Sequence, residues 1–259
     1  MGYANRSPMV IEAISYPVKA KTDAIPSQSG KQLIFMGATV QNRAGASNFV
    51  GIGFKVDNSR WKAGQWDDSE TASYIEDTTD AQDVGANDFA LTTTTNNDGF
   101  VIQSLDKFGI VALQVGTAQA GSPVYEYTYW NGSSWTALTT IEVPTSYTVA
   151  EHTIAFFAPT DWAALAAADA PVATDGLTAG YYAIRLRATT APSTAPLATQ
   201  IWVAKVYDFK EDVSDNGLIN FTPEDPINGI ALHGGESIIP YYKTAHADNV
   251  VTVRYAIRG

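Results

Sequence analysis

Between Tyr125 and Trp135 the chain reads YEYTYWNGSSW, an alternating aromatic run followed by Asn131-Gly132 and a second short run. Asn-Gly tolerates the positive φ angles of a type I′ turn, whose twist matches that of paired strands, so the stretch predicts a β-hairpin. Period-two alternation then puts Tyr125, Tyr127 and Tyr129 on one face and Glu126, Thr128 and Trp130 on the other.

Similar short runs punctuate the whole sequence. Strands are expected at 31–36, 49–56, 89–91, 99–103, 109–115, 180–188, 200–207, 227–233, 237–242 and 249–258, separated by Gly, Asn, Asp and Pro clusters. In 49–56 small residues alternate with apolar ones, a pattern that lets another chain approach closely. The run 200–207 is apolar on both faces, as a central strand requires. The last strand, 249–258, has to pair, either within the fold or with a neighbour. Asp161 to Asp169 is Ala-rich with an acidic cap, which predicts a short helix or helical turn. Asp67 to Asp88 is acidic and polar and reads as a long loop or a set of surface turns.

These signals predict an all-β chain. Pro8, Pro17 and Pro26 mark residues 1–30 as an extended N-terminal arm holding one short strand in 9–16. Residues 31–60 and 216–259 share small apolar strands and are expected to form a discontinuous β base domain. A β-sandwich (jelly-roll-like) domain, 61–215, is expected between them.

Charge divides the chain in a different way. The net charge is −11, yet residues 1–62 hold eight Lys/Arg against three Asp/Glu. Residues 63–210 hold five against seventeen, and 211–259 three against seven. A basic segment on an acidic body either docks on an acidic partner or folds back on its own chain. Charged residues are only 17% of the chain, which suits packing against other subunits. The acidic body argues against nucleic-acid binding. Cysteine is absent, which excludes disulfides and thiolate chemistry. No apolar run approaches the roughly 20 residues of a membrane span, and the first residues lack the apolar core of a signal peptide, so synthesis in the cytoplasm and no membrane contact are expected.

The order YWNGSSW (130–135 with Tyr129), then PTDW (159–162), then GYYAIRLR (180–187), resembles a β-sandwich module of tailed-bacteriophage structural proteins. The resemblance covers roughly residues 121–190 and implies a virion protein. It does not distinguish head from tail or baseplate.

Chemistry is sparse. His152, His233 and His246 are far apart and none is in a ligand-spaced pair; G-x-S-x-G and the glycine-rich nucleotide motifs are absent. Paired acids such as Asp67-Asp68, Glu76-Asp77, Glu211-Asp212 and Glu224-Asp225 fit a solvated surface better than a glycosidase pair. Asp77, Asp80 and Asp83 could offer oxygens to Ca²⁺, but the spacing lacks EF-hand order, so no metal and no cofactor is assigned. Trp130, Trp135, Trp162 and Trp202 read as sandwich core. Trp61 and Trp66, beside the acidic stretch, are the better exposed candidates for stacking on a glycan.

The charge split, the proline-spaced arm and the low charged content point to a non-enzymatic protein that assembles on a partner, and the resemblance implies that it is a structural protein of a phage virion. The specific expectation is a head decoration or cement protein on the outer shell, bound to the major capsid protein or other virion proteins. A homo-oligomer is expected, a trimer suiting a lattice. The alternatives are a tail or baseplate protein and a glycan- or receptor-binding module. Partner contacts are expected at Arg6, Lys19, Lys21, Lys31, Arg43, Arg254 and Arg258.

Overall fold

The structure is a computed structural model that describes residues 9–15 (backbone), 32–68, 74–166, 176–224, 229–244, 246 and 248–258. Its strands begin with β1 (Met9–Ser15), β2 (Gln32–Gln41), β3 (Asn48–Lys55), β4 (Trp61–Trp66), β5 (Tyr74–Glu76) and β6 (Phe89–Ala90). Next come β7 (Gly99–Ser104), β8 (Ile110–Thr117), β9 (Val124–Trp130), β10 (Trp135–Ala137), β11 (Thr140–Glu142) and β12 (Glu151–Phe156). The series closes with β13 (Tyr182–Thr190), β14 (Leu197–Val213), β15 (Leu218–Phe221), β16 (Ile230–Ala231), β17 (Ser237–Tyr242) and β18 (Val250–Arg258). Among the described residues a short α-helix, α1 (Thr78–Gln82), lies between β5 and β6, and a single 3-10 turn, Asn58–Arg60, precedes β4. The protein is all-β and sandwich-like, as the period-two patterning requires.

Two compact units emerge: a terminal unit of residues 1–57 with 204–259, and a middle unit of residues 58–203. The division at 203/204 comes before the expected boundary at 215/216. The cause is β14, whose residues 204–213 leave the middle segment and pair with β3, from Ala204↔Lys55 to Val213↔Asn48.

In the terminal unit one sheet has the order β1-β18-β2-β15, with β16 also on β2; β3 is flanked by β17 and by the second half of β14. Phe35, Val40, Val251, Val253 and Tyr255 from the first sheet pack with Val50, Ile52, Phe54, Ile238 and Tyr242 in one core. The expected terminal strand pairs within the fold on both sides, with β1 and β2. The short strand expected in the arm is β1, matched to β18 from Met9↔Ala256 to Ser15↔Val250; residues 1–8 and 16–30 of that arm lie outside the described residues. The small residues of β3 admit a side chain of the same chain: a Cβ at Gly51 would meet Phe209 Cδ1 at 2.5 Å.

The middle unit has a sheet of order β10-β9-β13-β7-β4-β5 and a second sheet in which β8 lies between β12 and the first half of β14. Aromatic rings fill the space between strands, with Phe89 stacked on Phe100 at 5.1 Å and Phe108 edge-on to Trp162 at 5.0 Å. The tyrosine face of β9 turns inward: Tyr127 Oη lies 3.0 Å from Tyr147 Oη, and Tyr129 Oη donates to Asp161 at 2.7 Å.

Three local expectations are corrected. The β9–β10 connection is a four-residue loop from Asn131 to Ser134, closed by register Trp135↔Trp130; Gly132 has φ of 97° but Asn131 keeps an ordinary negative φ, so it is not a type I′ turn. The Asn131 side chain organises that loop instead, its Oδ1 accepting from Ser133 N, Ser133 Oγ and Ser134 N. Residues 161–166 are not helical, because Ala164 bridges Tyr182 and Leu165 N donates to Tyr181 O, which outweighs alanine's helix propensity; 167–169 lie outside the described residues. The stretch 67–88 is not a plain loop, since it contains β5 and α1, with Tyr74 and Ala81 buried.

Candidate functional site

The sequence candidates separate when placed on this fold. Trp61 and Trp66 are each only 2% exposed, so they cannot stack on a glycan as expected. On β4, an interior strand between β7 and β5, Trp66 packs in a core with Tyr74, Val101, Trp130 and Leu165, while Trp61, on the opposite face, is equally enclosed. Arg6, Lys19, Lys21 and Lys31 lie outside the described residues. Arg254 and Arg258 lie four residues apart on β18 and so project from one side of the sheet, roughly 13 Å apart at strand rise. Arg254 crosses Gly37, where a Cβ would meet Arg254 Nη2 at 2.7 Å; Gly37 has φ of +128°, at the irregularity where β2 and β18 shift register. Arg43 is exposed in the loop after β2, with its backbone N–H donating to Asn249 Oδ1. The three arginines are thus strung along one strand pair, and none has an ion-pair partner among the described side chains. Thr39, Asn220 and Thr252 share that surface, Thr39 Oγ1 donating to Asn220 Oδ1 at 2.7 Å.

Charge partitions with the units. The terminal unit has eleven Lys/Arg and eleven Asp/Glu, whereas the middle unit has five against sixteen and carries the entire net charge of −11. The basic excess of the first 57 residues is therefore balanced inside its own unit by the acids after Ala204.

Among the described residues no group of three His, Cys, Asp or Glu could hold a metal ion. His152 Nε2 contacts Thr148 O at 2.9 Å and its ring stands edge-on to Tyr147; His246 Nδ1 faces Asp248. Carboxylates face cations: Glu76 with Lys62, Asp106 with Arg60, Asp208 with Lys210. Asp77, in the run considered for calcium, is pushed above the usual carboxylate range by burial first and by Asp80 second.

A cluster that the sequence did not single out lies on the β4-β7-β13-β9-β10 sheet of the middle unit. Register puts Arg185 opposite Val101 and Thr128, on the same face as Arg187, Glu126, Trp66, Trp130 and Trp135. Arg185 is 6% exposed, and its guanidinium sits over two indole rings, 4.6 Å from the centroid of Trp135 and 5.3 Å from that of Trp66. Burial, and then the nearby charge of Arg187, bring its pKa down to about 10. Arg187 grips Glu126 through both Nε and Nη2. The one sequence signal for this cluster was the Arg185-Leu-Arg187 spacing, which sets two cations on one face of a strand with covered neighbours. No protein-family model, curated protein or solved structure matches the chain.

Proposed function

We propose that this chain is a structural protein of a tailed-phage virion, a decoration or cement protein that attaches to the outer head shell through its terminal unit. The observation that carries this reading is the charge partition: an electroneutral unit beside one that holds the whole charge of −11. Electroneutral, small-residue surface can be buried against a neighbour at low desolvation cost, whereas a strongly acidic one favours solvent.

The terminal unit also supplies a means of attachment. Among the described residues β1 ends its sheet, and the row of backbone groups on its far side offers an edge for strand addition by a neighbouring subunit. Arg43, Arg254 and Arg258, with no ion-pair partners among the described residues, supply charge for an acidic patch on that neighbour. The phage-module resemblance supplies the virion itself. No enzymatic step is assigned. The test is a reconstruction of purified particles with antibody labelling of this chain: labelled head surface supports the reading, and label confined to the tail or baseplate, or absent from particles, overturns it.

A further inference from the structure

The indole–guanidinium cluster of the middle unit holds three buried nitrogens that are all donors. Arg185 Nε, Trp66 Nε1 and Trp130 Nε1 are fully enclosed and have no hydrogen-bond partner among the described residues. Their side chains are each more than nine-tenths buried. The rings are in mutual contact, Trp135 standing 6.1 Å from Trp66 and 5.8 Å from Trp130. Enclosed donors without acceptors are costly, the more so when one belongs to a cation. Of the two carboxylates whose charge reaches Arg185, Asp68 first and Glu126 second, neither hydrogen-bonds its Nε, and Glu126 is held by Arg187.

We propose that this cluster is a binding site for a small, singly charged carboxylate, held side-on by Arg185 with the indole N–H groups of Trp66 and Trp130 as further donors. The chemistry follows from the inventory: an acceptor-only, planar, two-oxygen group complements a guanidinium edge. Two residues along the same strand face, Arg187 already holds a carboxylate by its guanidinium edge, its Nε and Nη2 both donating to Oε2 of Glu126. The indole rings fix the Arg185 plane before a ligand arrives, which lowers the ordering cost of binding. Five Lys/Arg against sixteen Asp/Glu in this unit disfavour polyanions, which narrows the ligand to a single negative charge. Entry is by way of Trp135, half-buried on β10, a three-residue strand at the end of its sheet. This inference does not depend on the virion reading.

The experiment is a titration of the full chain with sodium acetate and with sodium glucuronate, followed by the indole N–H signals in heteronuclear NMR. Saturable shifts of the Trp66 and Trp130 signals are expected with both salts, and none with glucose, which has the same ring but no carboxylate. Arg185→Met is expected to abolish the shifts, and Arg185→Lys, which keeps charge but loses the fork, to weaken binding at least about tenfold. The proposal is overturned if neither carboxylate gives a saturable shift in the unmodified chain, if glucose gives the same shift, or if a folded Arg185→Met variant binds as well as the parent. The titration of the unmodified chain decides the matter even if both variants fail to fold.

Discussion

Lys205 Nζ lies 2.5 Å from Oε1 of Glu236, whose side chain is fully buried in the terminal unit. Oε2 of the same carboxylate accepts from His233 N, so the turn before β17 is tied to β14. Removing one partner of a buried pair leaves a bare charge, at a cost of ~3–5 kcal/mol. Lys205→Met should therefore destabilise the protein by that amount, and Lys205→Met with Glu236→Met should recover most of it. Denaturant unfolding of the two variants checks this; equal losses in single and double variants would show that the charge is solvated.

Gly99 pairs with Arg187 at a point where the strands leave no room for a side chain. A Cβ there would meet Leu186 O at 1.9 Å and Arg187 Cα at 2.9 Å, both backbone atoms that cannot step aside. Gly99→Ala should cost at least ~2 kcal/mol, above the middle of the overpacking range. Thermal unfolding should show the loss, and a melting temperature equal to the parent's would contradict the β7–β13 register.

The Asn131 carboxamide, through its Oδ1, holds the β9–β10 loop by three accepted hydrogen bonds. Asn131→Ala should cost about 1–2 kcal/mol, whereas Asn131→Asp, which keeps the acceptors, should cost much less. A type I′ turn would reverse that ranking in favour of glycine, so Asn131→Gly serves as the control. Melting temperatures of the three variants give the order.

Burial pushes the Tyr127 phenol up to about 12, and drives Tyr147, against which it is hydrogen-bonded, well above its ordinary value. The folded chain thus keeps these protons at a pH where the unfolded chain has lost them, so their contribution is complete below about pH 10 and declines as pH rises beyond it. Unfolding free energy should fall from about pH 10 towards 12, and Tyr127→Phe should flatten that fall. Phenolate absorbance that rises for all thirteen tyrosines together, before unfolding begins, would refute the buried pair.

Much of the fold was legible because strands write a period of two, which is why the runs at 99–103, 237–242 and 249–258 match β7, β17 and β18 so closely. What escaped depends on partners distant in the chain. The Ala-rich 161–166 looks helical until Tyr182 offers it a bridge, and Trp61 and Trp66 look exposed beside an acidic stretch until β4 becomes an interior strand whose Trp66 joins a core with Trp130 and Leu165. The Arg185 cluster is assembled from residues 66, 130, 135 and 185 by register alone. Only the Arg-Leu-Arg alternation marked it locally. The arginines of β18 were legible as cations, but their common side of one strand required the pairing.

The proposed attachment of the terminal unit to a phage head is the centre of this account, and cosedimentation with expanded capsids of a tailed phage whose genome carries this sequence measures it most directly. The parent should pellet with capsids to saturation. Arg254→Glu with Arg258→Glu should lose at least about tenfold in affinity, since both positions would then repel an acidic patch. Arg60→Gln with Lys62→Gln, in the middle unit, should bind like the parent. A parent chain that stays in the supernatant, or a β18 double variant that binds as tightly as the parent, would contradict the account.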